Sequence, residues 1–323
     1  MFLKTAFLRI IATLVCAVML IPALGNAGGE YDVKDPAACK MNFSILSDSH
    51  IEGNNYPRYK IFARALQNVK KNKSGNDAIV FLGDNTMNCQ NIENIFFHGT
   101  VSLLLGGENI LSVLGNHDIG NGEGDYEKLQ NRWFTYTEAF FGRHLEKPYY
   151  YEIVDGYYFI VLGTEAHKVY DLVISDEQYE WLEGVLKKAA ESGKPVFVFS
   201  HFPMSDETDT EGNLTDRLTQ LFAEYNREND IFCFVGHTHM PMYLFWSFHS
   251  DDGFPEIYLP RLTELYGEND REPGKNSGVG AEVEIYENEV CVRSRNFYTG
   301  EWRYEEDEGA FCEMTYELKN PVQ

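Results

Sequence analysis

The sequence predicts an α/β fold in which buried strands form a sheet covered on both faces by helices. Three observations carry this expectation. Short, unbroken apolar runs recur through the first three quarters of the chain, segments with helical hydrophobic spacing separate them, and the last quarter changes to alternation of period two.

Taken in order, MNFSILS (41–47) reads as a strand. Pro57 then opens a helix in which Phe62, Ala65, Leu66 and Val69 share one face, with Lys70, Lys71 and Lys73 near its end. AIVFLG (78–83) is a second strand, and VSLLLGGENILSVLG (101–115) a third, at least over Ile110 to Leu114. Residues 121–151, rich in Gly, aromatic and charged residues, read as an excursion over the strand ends. YYFIVLG (157–163) is a strand, and DEQYEWLEGVLKKAAESG (176–193) is a helix running from acidic to basic, as the helix dipole favours. In that helix Trp181 and Leu182 are expected in the core. VFVFS, a helix around Asp216 to Asn226, and IFCFVG follow. EIYLPRL, AEVEIYENEVCVRSRNFY and EMTYELK then alternate apolar and polar residues, with a turn at Glu287-Asn288. They predict a hairpin and further antiparallel strands over 254–318 that complete a second sheet within a single domain, 28–323; residues 264–278 are a polar loop.

Composition narrows the function. Of 323 residues, 44% are hydrophobic and only 24% charged, and 20 Tyr and 22 Phe supply a large core, which excludes a disordered chain. The net charge of −23 disfavours a nucleic-acid polymer or an anionic membrane as partner. An anionic substrate must then be drawn by a local positive centre.

The first 27 residues have the order of a secretory signal: Lys4 and Arg9, the apolar run IIATLVCAVMLI, Pro22, and small residues at Gly25-Asn26-Ala27. The apolar run is too short for a comfortable span, so no stable membrane span is expected in the mature chain, which would be periplasmic or extracellular. Cleavage after Ala27 would remove Lys4 and Arg9 and no acid, giving 25 − 50 = −25. Five cysteines would remain (Cys39, Cys89, Cys233, Cys291 and Cys312), an odd number without a C-x-x-C pair. A cysteine zinc site is therefore not expected, and Cys233 reads as a small core residue.

The chemistry lies at the ends of the strands. FSILS runs into Asp48-Ser49-His50, IVFL into Gly83-Asp84-Asn85, and LSVL into Gly115-Asn116-His117-Asp118. VFVFS runs into His201, and IFCFV into Gly236-His237-Thr238-His239. Five of the nine histidines, with Asp48, Asp84 and Asn116, thus follow five separate strands. One such residue alone is more often a turn or cap than a ligand. Five together, with carboxylates and an amide oxygen, form a mixed nitrogen and oxygen donor set at the edge where α/β sheets place their sites. Seven donors exceed what one tetrahedral ion uses, so two ions are expected. Glycine at 83, 115 and 236 is expected to turn the backbone sharply off each strand.

The series D-x-H, G-D, G-N-H-D, H and G-H-T-H, from about Met41 to Met240, resembles the calcineurin-like metallophosphoesterases. The resemblance implies two packed mixed β-sheets flanked by helices, a four-layer sandwich, with two divalent metal ions (Mn, Fe or Zn). Asp48, His50 and His239 would hold one ion, Asn116, His201 and His237 the other, and Asp84 would bridge them. It implies hydrolysis of small phosphate mono- or diesters by a hydroxide bridging ions about 3.5–4 Å apart. In formal charge the two ions, that hydroxide, Asp48 and Asp84 sum to about +1, which supplies the positive centre. His117 would assist the leaving group. A catalytically silent metal-binding scaffold is the alternative.

Two departures from the family pattern matter. Many relatives carry an Asp three residues beyond the bridging one, where it can orient the acid histidine; purple acid phosphatases carry a tyrosine ligand there. This chain has Met87. Asp118 is expected to cap its loop rather than orient His117. His98, His144 and His249 are read as surface residues or as residues just behind the ligands, His167 as a loop residue, and Asn54-Asn55-Tyr56 as a turn or a substrate contact. Substrate choice is assigned to loops at 52–58, 86–100, 121–150 and 205–215. Only about eighty residues follow the last motif, too few for the long C-terminal domain of periplasmic 5′-nucleotidases.

Overall fold

Alternation along the buried strands sorts the core into layers. In the computed structural model, which describes residues 28–242, 248, 252–266, 272–274, 276–303 and 312–322 with Arg9, Leu14, Cys16 and Ala17, twelve strands build two large sheets. Residues 1–27, expected to be a secretory signal, lie outside the described residues apart from those four, as does His249.

The strands are β1 (Met41–Leu46), β2 (Ala78–Phe81), β3 (Ile110–Ser112), β4 (Tyr150–Val154), β5 (Tyr157–Val161) and β6 (Val196–Ser200). After them come β7 (Ile231–Val235), β8 (Glu256–Tyr258), β9 (Val279–Ile285), β10 (Glu289–Asn296), β11 (Glu301–Trp302) and β12 (Glu313–Glu317). One sheet has the order β11-β10-β9-β1-β2-β3 with β12 also on β10; the other has the order β8-β7-β6-β5-β4. Strands β1, β2 and β3 are mutually parallel, as are β5, β6, β7 and β8.

Phe43, Ile45, Val80, Phe197, Phe199, Phe232 and Phe234 point between the sheets into one core. There Phe43 meets Phe159 and Phe197 edge-on, each at 4.9 Å. The intervening residues Val196, Val198, Ile231 and Cys233 point the other way, against helices α4 (Asp176–Ala190) and α5 (Arg217–Tyr225). On the far side, Leu46, Ile79 and Phe81 pack under α1 (Tyr56–Val69) and α2 (Asn91–Leu105). The result is the expected α–β–β–α sandwich. A fifth helix, α3 (Tyr126–Phe141), packs on α2, with Phe97 and Phe141 in edge contact at 6.4 Å. Leu182 is core, with Trp181 half-buried against it. Among the described residues Cys16, Cys39, Cys89, Cys233 and Cys291 form no disulfide.

Three expectations need correction. Residues 101–105 are the end of α2 rather than a strand, so much of the expected loop 86–100 is helix. This helix lies between α1 and α3 and is apolar nearly all round, which erases the helical period and imitates a buried strand. The excursion 121–150 likewise contains α3, started by Asp125, whose side chain accepts the Lys128 N–H. The C-terminal strands do not form a separate second sheet. Strand β9 pairs antiparallel with β1 (Phe43↔Val283), so the hairpin widens the first sheet, while β8 is parallel to β7 in the other. Period-two alternation shows that one face is buried but not which strand edge receives it.

Candidate metal centre

Strands β1, β2, β3, β6 and β7 end on one rim, and backbone pairing continues beyond the strands into the motifs. The Asp48 N–H donates to the Gly83 carbonyl (3.1 Å), His50 N–H to Asp84 (2.8 Å), and Gly236 N–H to His201 (3.0 Å). The chain then turns through left-handed conformations at the site residues themselves: Asp48 (φ 53°), His50 (41°), Asp84 (48°), His237 (61°) and His239 (53°). For L-residues each costs roughly 1–2 kcal/mol, a strain held by the surrounding bonds. The expectation that glycines make these turns holds only at Gly83, with φ 88°. Gly115 and Gly236 serve close approach instead. A Cβ on Gly115 would overlap Asp84, and one on Gly236 would meet Ser47 and Asp48.

All seven expected ligands converge. His239 Nε2 lies 3.1 Å from Asp48 Oδ1 and 3.2 Å from His50 Nε2, and His50 Nε2 lies 3.6 Å from Asp84 Oδ2. His201 Nε2 lies 3.3 Å from Asp84 Oδ1 and 3.0 Å from Asn116 Oδ1, and the same amide oxygen lies 3.1 Å from His237 Nδ1. Asp84 therefore stands between a group with Asp48, His50 and His239 and a group with Asn116, His201 and His237. Five of the seven are buried, and His237 and His239 are half-buried at the open side.

The donor chemistry fits cations. His201 Nδ1 donates to the Leu82 carbonyl at 2.8 Å, which leaves its Nε2 facing only oxygen acceptors. The Asn116 amide is turned oxygen-inward because its Nδ2 donates to Asn121 Oδ1 at 2.9 Å. Acceptor atoms 3.0–3.6 Å apart repel one another unless a positive charge lies among them, and this spacing suits ligands about 2.0–2.2 Å from a shared ion. Burial pushes His50 and His237 down to about 4, so both are neutral, as ligands must be. Burial alone would raise the two carboxyls, but surrounding imidazoles hold Asp48 well below the usual range and Asp84 at about 2. For His201 burial is outweighed by the charge of Asp84, and its pKa is pushed up to about 9. The cage thus calls for positive charge.

His117 borders the same site. Its backbone N–H donates to Asp84 Oδ1 (2.8 Å), its ring stands edge-on to His50 at 4.7 Å, and its Nε2 lies 4.0 Å from Asp84 Oδ2. The ring is oriented by an Nδ1–H bond to the Met87 carbonyl, 2.7 Å. The Asp118 carboxylate makes no hydrogen bond to the His117 ring and does not cap the following loop. It is buried and accepts from the Asn85, Thr86 and Gly115 backbone N–H groups, tying two motif loops together. Burial and the nearby Asp84 charge raise its carboxyl to about 6.

The remaining histidines sort differently from expectation. His98 is not a surface residue: it is fully buried between α2 and α3, bonded to the Asn94 carbonyl, and burial lowers it to about 3. His144 is exposed beside Glu138, and His167 is in a loop with its ring 6.3 Å from Tyr126. Asn55 caps α1 by accepting the Arg58 N–H. The sequence reading missed Asn121, whose only signal was its nearness to G-N-H-D, and Tyr170. Tyr170 is 73% exposed with its ring 6.2 Å from that of His237, an aromatic surface at the rim of the site.

Comparison with known proteins agrees with this geometry. The profile of the calcineurin-like phosphoesterase family matches residues 41–241. Among solved structures, a purple acid phosphatase, PPD1, from yellow lupin seeds superposes with a TM-score of 0.58 at 12% identity, over 87% of this chain but only 54% of the lupin protein. A dimetal phosphatase from Danio rerio superposes with a TM-score of 0.55 at 16% identity, over 87% of this chain and 100% of that one. At such identities the likeness is one of fold. No curated protein sequence matches the chain.

Proposed function

This chain belongs to the calcineurin-like phosphoesterases, metal-dependent hydrolases of phosphoric esters, and from that premise we propose how its own residues divide the work. Asp48, His50 and His239 would hold one ion, Asn116, His201 and His237 the second, with Asp84 placed to serve both. When bound, two divalent ions supply Lewis acidity toward phosphoryl oxygens and acidify water. Mixed nitrogen and oxygen donors suit Mn, Fe or Zn.

The protein groups set up that chemistry. The His117 N–H and Asn121 amide fix Asp84 and Asn116 in orientation, and the Leu82 carbonyl fixes the His201 tautomer. The His117 ring is about one-sixth exposed, with a side-chain accessibility of 16%. With Nδ1–H committed to Met87, Nε2 is the atom that gives a proton to the departing ester oxygen. Small phosphate mono- and diesters are the substrate class, and the acidic surface, net −23, favours them over nucleic-acid polymers. We assign residues 1–27 to export, with 28–323 as one domain acting in the periplasm or outside the cell. Among the described residues no helix is long and apolar enough to cross a membrane.

The observation that carries this reading is the Asp84 carboxylate set between two donor groups. Metal analysis of the purified protein, followed by assays of a chromogenic monoester and diester with added Mn, Zn or Fe, tests it. The expected result is two bound ions per chain and metal-dependent turnover. Metal retained without turnover of a broad ester panel would show a silent scaffold instead.

A further inference from the structure

Arg261 lines a cavity of about 290 Å³ that also takes in His239, a member of the proposed metal centre. The volume lies near the lower end for ligand pockets and suits a small phosphorylated molecule. Pro241 and Pro260 give the cavity apolar wall, while Arg261 and Asn276 bring hydrogen-bond donors; Glu264 lines it too. Arg261 is half-buried and its Nε is buried without a hydrogen-bond partner. Among the described residues no carboxylate, Glu264 included, forms an ion pair with it. His239, in the same cavity wall, has its Nε2 3.2 Å from that of His50. A guanidinium is always charged, and holding one partly desolvated, without a carboxylate partner among the described residues, is costly unless an anion completes it.

The charge of the centre indicates which anion. Two divalent ions, Asp48, Asp84 and a hydroxide leave about +1, which balances a diester monoanion but not a monoester dianion. The second negative charge of a monoester needs another cation, and Arg261 provides one in the adjoining wall.

Resting on the phosphoesterase reading above, we propose that Arg261 is the residue that selects phosphate monoesters over diesters, its guanidinium donating to non-bridging oxygens of the dianion.

The test uses the metal-loaded full chain at about pH 8, where inorganic phosphate and phosphate monoesters (second pKa about 6) are both mainly dianions. Binding of inorganic phosphate and of dimethyl phosphate is measured by calorimetry for wild type, Arg261→Gln and Arg261→Lys, each checked for equal metal content. In Arg261→Gln, phosphate affinity should fall roughly 10- to 100-fold and that of dimethyl phosphate less than about 3-fold, with the lysine variant between. The kcat/KM values for a chromogenic monoester and diester should separate in the same direction. Equal loss for both ligands, or no loss for either, overturns the assignment. Should Arg261→Gln not fold, the phosphate-to-dimethyl-phosphate ratio in Arg261→Lys decides in the same way. A wild type that binds metal yet turns over neither ester overturns the phosphoesterase reading itself, a result distinct from an active wild type whose variants are unchanged.

Discussion

His117 Nδ1 lies 2.7 Å from the carbonyl oxygen of Met87, so a main-chain group holds the ring where many relatives use a carboxylate side chain. The orienting bond survives any change of the Met87 side chain that preserves the backbone. Met87→Ala should therefore keep kcat within a few-fold of wild type. His117→Ala should retain its metal and lose roughly 10²–10⁴-fold in kcat, with the greatest loss for esters of poor leaving groups. A loss in His117→Ala that is the same for good and poor leaving groups would argue against proton donation.

The Asp84 carboxylate faces imidazoles of both donor groups, 3.6 Å from His50 and 3.3 Å from His201. Asp84→Asn keeps its shape but removes the shared charge. It should bind fewer than two ions at equilibrium and hydrolyse esters roughly 10³-fold more slowly or worse. Metal titration and a chromogenic assay read the two effects separately, and wild-type stoichiometry with wild-type activity would remove Asp84 from the mechanism.

Met87 also bears on colour. At the position where purple acid phosphatases carry their tyrosine ligand this chain has Met87, which has no phenolate to offer. The iron-loaded protein should lack the tyrosinate-to-iron absorption of purple acid phosphatases despite sharing the fold of the lupin enzyme. A visible absorption spectrum after loading with ferric iron checks this, and an intense purple band would contradict the ligand set.

Glu282, far along the same sheet, gives a pH signature separate from the site. It is buried, accepts from Tyr31 and Ser44, and is pushed up from the ordinary 4.5 to about 7, chiefly by burial. A carboxyl whose folded pKa is raised favours the protonated fold. Between about pH 4.5 and 7 the folded state keeps a proton that the unfolded state has lost, so this group's contribution to stability falls as pH rises. The full effect above pH 7 is on the order of 3 kcal/mol. Glu282→Gln should therefore unfold at a higher temperature than wild type at pH 8 and show little difference near pH 4. Parallel pH profiles of Tm for the two proteins would show that the carboxyl does not titrate this way.

Much of the site was readable because metal chemistry restricts residue type and strand ends restrict position. Asp48, His50, Asp84, Asn116, His201, His237 and His239 each follow an apolar run, and those runs became adjoining strands that end on one rim. The parts that stayed hidden rest on groups without a distinctive residue type. The carbonyls of Leu82 and Met87 that set two imidazoles belong to every amino acid, and the left-handed turns fell on Asp and His rather than on the glycines beside them. Helix α2 was hidden because burial on several sides removes the polar face that marks a helix.

By itself, the order of residues determined the layered α/β fold and the donor types able to hold cations. Only the tertiary structure decided that β9 joins β1, that Asp118 ties two loops instead of serving His117, and that Arg261 faces the cavity beside His239. The physical reason is range. Periodicity and residue chemistry act along the chain, whereas strand partners, buried hydrogen bonds and unpaired charges depend on which distant segments are brought into contact.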